Sequence, residues 1–148
     1  MSNLSNSTRI VRVSNAIAAG VTTPQSSAVV DTAGFEGCRF VFLMGATAAT
    51  GTPQCKIQQG NAANMSDAAD LLGSGYLNVP TTDDNQAVII DVYRPTNRYL
   101  RAQVIRGTAN TTIDGIIAEL YEGDVLPKTK DATVASGKIL VSVAEGTA

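Results

Sequence analysis

Short runs of β-branched and aromatic residues recur along this chain, each closed by a turn-forming cluster. That rhythm constrains the fold more than any other feature. The runs lie at residues 9–14, 28–31, 38–44, 55–59, 87–93, 99–106, 111–121 and 138–143. Between them stand Ala33-Gly34, Gly51-Thr52-Pro53, Gly73-Ser74-Gly75, Arg94-Pro95-Thr96-Asn97 and Gly107-Thr108-Ala109-Asn110. Gly and Asn tolerate left-handed backbone and Pro presets φ, so these clusters read as turns. Many short strands bury their apolar faces by stacking as two sheets. The expected fold is therefore all-β: a single-domain β-sandwich, jelly roll in form, with little helix and flexible termini.

Alternation assigns faces. Phe40, Phe42 and Met44 share one side of their run; Val88, Ile90 and Val92 share another, as do Leu100, Ala102 and Val104. Phe40, Phe42, Val88, Ile90, Leu100 and Val104 are the expected core. The opposite side of 39–44 (Arg39, Val41, Leu43) is only partly polar, the pattern of a strand covered on both faces. Gly115 inside 111–121 predicts a bulge that swaps faces. A helical pattern occurs only at 66–72, where Ser66 can cap a short turn. The expected organisation is a flexible arm over 1–8, the sandwich over 9–143 and a flexible tail over 144–148.

The 148 residues suit one domain. Only 16% are charged, against about 25% in soluble domains. Such a surface desolvates cheaply and suits permanent contact with other subunits. Eleven basic residues set against thirteen acidic ones give a net charge of −2, so no phosphate-attracting field for nucleic acid is expected. No apolar segment is long enough for a helical membrane span, and the Ser/Asn-rich start lacks signal-peptide features. The expectation is a protein made and kept in a cytoplasm until assembly.

Catalytic material is thin. There is no His, which removes the usual nucleophile–base pair. The carboxylate pairs Asp83-Asp84, Asp67/Asp70 and Glu119/Glu122 are candidates for acid–base work, but solvated loop acids and helix-start acids are the commoner finding. Asn64 with Asp67 and Asp70 lacks the calcium-loop pattern. Gly73-Ser74-Gly75 lacks the Lys-Ser/Thr of a phosphate loop. Cys38 and Cys55 are too few for a metal site. A hairpin pairing 39–44 with 55–59 would leave them about three positions out of register, so buried free thiols are expected. No enzyme activity, metal or cofactor follows.

The most pointed feature is Tyr93-Arg94-Pro95-Thr96-Asn97-Arg98-Tyr99-Leu100-Arg101, followed by Arg106. Arg forks recognise carboxylates and carbonyls and stack on Tyr. Arg and aromatic residues also anchor interfaces. Arg94, Arg98, Tyr99 and Arg101 are thus interface candidates. The competing reading is that Arg98 and Arg101 bond loop carbonyls or Asp91 within the same chain.

Gly34-Phe35-Glu36-Gly37, Lys56-Ile57-Gln58-Gln59-Gly60, Tyr93-Arg94-Pro95, Arg98-Tyr99-Leu100-Arg101 and Arg106-Gly107-Thr108-Ala109-Asn110 resemble segments of small structural proteins of tailed bacteriophages. The resemblance spans roughly residues 30–120 and is nearest to the jelly-roll cement, or decoration, proteins of short-tailed phage capsids. It implies a protein that coats the virion, binds the major capsid protein and ties its subunits together. It also implies a homodimer, or a trimer as in other phages, with no cofactor, nucleic acid or membrane as partner. Another virion part, such as a tail or head–tail joining subunit, is the alternative. A carbohydrate-binding sandwich is a third reading, weakened by the absence of Trp.

Overall fold

The computed structural model describes residues 3–107, 110–141 and 144–147. One helical turn, α1 (Leu4–Ser7), precedes the strands β1 (Arg9–Ser14), β2 (Ile17–Gly20), β3 (Gln25–Ser26), β4 (Val30–Asp31) and β5 (Phe35–Thr47). Then come β6 (Gln54–Gly60), β7 (Ala69–Asp70), β8 (Tyr76–Leu77), β9 (Ala87–Tyr93), β10 (Tyr99–Ile105) and β11 (Thr111–Gly123). Of the described residues 46% are strand and 3% helix, so sheet-on-sheet packing supplies the core.

The first sheet has the order β1-β11-β5-β9, with β2 also on β11. The second has the order β3-β10-β6-β7, with β4 on β10 and β8 on β6. Every pairing is antiparallel. The pairs nest: β1 with β11, β3 and β4 with β10, β5 with β9, β6 with β7 and β8. A long two-stranded ribbon is thus rolled so that β11 meets β5 and β10 meets β6. This is the jelly-roll topology.

The rolling overturns the expected hairpin of 39–44 with 55–59. β5 and β6 lie in different sheets, and the loop between them crosses the sandwich. Cys38 and Cys55 are nevertheless free and buried. Burial, which disfavours the thiolate, pushes each thiol up to about 12.

Phe40, Phe42, Leu100 and Val104 are fully buried, together with Met44, Ile57, Ile113, Ile116, Ala118 and Leu120. Val88 and Ile90 pack against this core but stay partly open, because β9 ends its sheet. In β11 the register shifts between Ile113 and Gly115. Ile113 points inward before the shift and Ile116, Ala118 and Leu120 after it, the face swap expected at a bulge.

Two expected elements differ. Residues 66–72 form no helix: the Asp67 carboxylate accepts the Asn61 and Ala62 N–H groups at 2.7 and 3.1 Å, and Leu71 N–H bonds Ile57 O. Local side-chain bonds outcompete one turn of helix. The run at 138–143 is no strand over its described part. Ile139, Leu140 and Val141 are 52%, 70% and 84% exposed; residues 142–143 fall outside the described residues. In the arm, Asn3 caps α1 through Asn6 N–H at 3.0 Å, and Lys128 N–H holds Asn6 O. Arg9 and Lys128 both sit over the Phe35 ring, at 5.3 and 4.3 Å, joining the two ends of the fold.

Candidate functional site

The Arg/Tyr stretch carries the chain from β9 in the first sheet to β10 in the second. Arg94, directly after β9, has φ +50°, unusual for a non-Gly residue. Glu36 holds it twice: Arg94 N–H donates to Glu36 O at 2.7 Å and Arg94 Nε to Glu36 Oε2 at 3.1 Å. Its guanidinium stacks on Tyr93. Arg98 makes a forked pair with Asp31 at 2.8 and 2.7 Å and stacks on Tyr99. This pairing holds the Asp31 carboxyl below the usual range. Arg101 donates twice to Gln58 Oε1.

Each candidate arginine therefore has a partner in its own chain, yet Arg94 and Arg98 remain 71% and 56% exposed. Asp91 is not the acceptor considered for Arg98 or Arg101; it takes the Tyr121 hydroxyl at 2.7 Å. Gly37 makes that bond geometrically accessible, because a Cβ there would collide with the Tyr121 ring. Arg106 is structural. It is buried and donates to Thr22 O, Ala18 O and Thr111 O, bolting the end of β10 to the first sheet. Sequence alone could not separate it from its exposed neighbours.

Cross-strand register defines the two outer faces. On the second sheet, Arg101 lies opposite Gln58 and Gln58 opposite Asp70. Asp70 accepts from Lys56 Nζ at 2.6 Å and Gln58 Nε2 at 2.9 Å, and Gln103 bonds Ser26. The Lys56 bond is the main reason the Asp70 carboxyl is held low. This face is a polar ladder that uses its own donors and acceptors.

The outer face of the first sheet differs. One row crosses it as Arg12, Ile117, Val41 and Ile89. The next row toward one end is Ile10, Glu119, Arg39 and Asp91; on the other side Leu43 faces Ala87. Ile10, Leu43, Ile89 and Tyr93 are 46%, 41%, 59% and 55% exposed. Glu119 is buried and paired with Arg39, whose Nε is buried without a hydrogen-bond partner. The two-sided apolar character of 39–44 was the one legible signal of this surface. Within this chain that second side of β5 is left partly open: Leu43 and the neighbouring Ile89 are exposed.

The candidate acids are engaged in structure. Asp83 accepts Val79 N–H and the Tyr76 hydroxyl at 2.7 and 3.0 Å, and Asp84 accepts Thr47 N–H at 2.9 Å. Among the described residues no three His, Cys, Asp or Glu converge to hold a metal ion, and no helix is long and apolar enough to cross a membrane. The architecture defines a jelly-roll sandwich presenting one polar face and one on which exposed apolar side chains stand among charged ones. Comparison with known proteins finds no matching family model and no curated protein of significant similarity.

Proposed function

We propose that this protein is a viral structural subunit, a capsid cement protein that binds the major capsid protein on the outside of a bacteriophage head and works as a homodimer. The observation that carries this reading is the apolar outer face of the first sheet, where Ile10, Leu43 and Ile89 stand half-exposed on a rigid scaffold. Exposed apolar side chains set among charged ones on one face suit protein–protein contact. Arg94, Arg98, Tyr99 and Arg101, on the connection from β9 to β10 and the outer face of the second sheet, offer a separate polar, fork-donating contact. In this reading the protein is made in the host cytoplasm and ends on the virion surface. Many copies on one shell let modest single-site affinity act together.

The test is a particle-binding assay beside a melting curve. Leu43→Ser combined with Ile10→Ser is expected to lower capsid occupancy at least about tenfold while moving the melting temperature only a few degrees. Arg98→Ala, Arg101→Ala and removal of residues 1–8 are expected to reduce occupancy more than stability. Full occupancy with collapsed stability in these variants would assign the residues to the fold instead. Electron microscopy of particles supplies the second arm: density at a vertex or along a tail, with none over the outer shell, would make this a joining or tail subunit.

A further inference from the structure

Within the homodimer of the proposed function, and resting only on that part of it, we propose that β9 is the docking edge, pairing antiparallel with β9 of a second copy to make one continuous sheet.

The four edges of the sandwich are treated differently. In the second sheet both edges end in strands of only two residues: β3 and β4 on one side, β7 and β8 on the other. In the first sheet, β1 carries two arginines and a register shift between Arg12 and Ser14, and its Arg12 N–H is taken by Thr133 Oγ1 at 2.9 Å. Shortness, charge, bulging and cover are the ways an edge is kept from pairing. β9 is neither short nor bulged, no strand among the described residues covers its open side, and its one charge is Asp91. It runs seven residues, Ala-Val-Ile-Ile-Asp-Val-Tyr, without Lys, Arg, Pro or a register shift.

Its hydrogen-bonding phase is set by its neighbours. Arg94 N–H donates to Glu36 O, and Met44 N–H donates to Gln86 O. The even-numbered residues therefore exchange bonds with β5, and Ala87, Ile89, Asp91 and Tyr93 aim their N–H and C=O groups away from the sheet. Among the described residues no element pairs with that side.

Self-pairing must bring odd residues opposite odd residues. A two-fold axis through Ile90 does so along the whole strand. It sets Ala87 against Tyr93 of the second copy, smallest against largest, and Ile89 against Asp91 of the second copy. An axis at Asp91 would oppose two carboxylates, and one at Ile89 would leave Tyr93 beyond the partner strand. The contact is isologous, as a closed dimer requires. It would also cover Val88 and Ile90, which are partly open although they face the core.

Light scattering after size exclusion tests this on the full chain. The unmodified protein is expected to be a dimer. Ile89→Asp faces Asp91 of the second copy twice per dimer and is expected to raise the dissociation constant about a hundredfold, with the far-ultraviolet circular dichroism unchanged. Ile89→Lys places a cation at the same two positions and is expected to remain dimeric. Removing residues 138–148 is expected to leave the dimer intact. A monomeric unmodified protein, a dimeric Ile89→Asp variant or a monomeric Ile89→Lys variant would each overturn the pairing. Loss of association on removing 138–148 would overturn it too, handing this edge to the C-terminal segment of another copy. A monomer that still coats capsids would refute the edge and spare the capsid reading. A dimer with these charge responses that ignores capsids would do the reverse.

Discussion

On the outer face of the second sheet, Lys56, Asp70, Gln58 and Arg101 bond to one another; on that of the first, Ile10, Leu43 and Ile89 stand half-exposed in rows. Both faces belong to twisted antiparallel sheets on one shared core, so backbone geometry does not separate them. Side-chain chemistry does. A ladder that consumes its own donors gains little when a partner replaces water. An apolar row gains roughly 1.5–3 kcal/mol for each large side chain fully buried. In the proposed function, stability and capsid association would then fall mainly to different surfaces of one small domain.

The strongest challenge to that division is a cut into what the faces share. Phe42 is fully buried between the sheets, and Phe42→Ala is expected to cost about 3–5 kcal/mol in urea unfolding. Both faces should melt in one transition; a loss below about 1 kcal/mol would mean that the sheets do not depend on a common core. Next in size is the bolt between them. Arg106→Met would leave the carbonyls of Ala18, Thr22 and Thr111 without that donor, an expected cost of about 3 kcal/mol by denaturant unfolding. Gly20 leaves room for this guanidinium, since a Cβ there would lie 3.2 Å from it.

The comparison sharpens with exposed substitutions matched across the faces. Arg101→Ala on the polar ladder and Leu43→Ser on the apolar face are each expected to change stability by less than about 1 kcal/mol. Parallel measurements of capsid occupancy and melting should show the larger binding loss for Leu43→Ser. An equal loss from both would erase the distinction.

The smallest effect is in pH. Asp31 and Asp70 have folded-state carboxyls lowered by Arg98 and Lys56. A lowered carboxyl contributes stability above its unfolded value, near about 3.9. That contribution is lost as pH falls through the folded value. Melting temperature should therefore hold from neutrality down to about pH 4 and decline below it. Asp31→Asn should flatten the decline slightly, because its pair with Arg98 is half-exposed and solvent-screened. An unchanged acid profile in that variant would show that the pair carries no linkage.

Sequence by itself determined the strands that bury apolar side chains in alternation. The bounds of β1 and β9 match the expected runs residue for residue, and the Gly115 bulge was visible because Gly interrupts an otherwise regular strand. Buried thiols also followed, although the hairpin used to argue for them does not form. The two-residue strands β3, β7 and β8 were not legible as separate elements: they are too short to show a period and exist because β10 or β6 lies beside them, whereas β4 falls inside the expected run at 28–31. The run at 138–143 teaches the converse, since strand-like residues pair with no strand over their described part. Tertiary structure alone decided that β5 pairs with β9 and β11, which arginine is buried and which are exposed, and which face of the first sheet remains apolar and open. Those outcomes depend on which segments the rolled ribbon brings together from far apart in the chain, and local patterning records a residue's preference for burial without recording what will cover it.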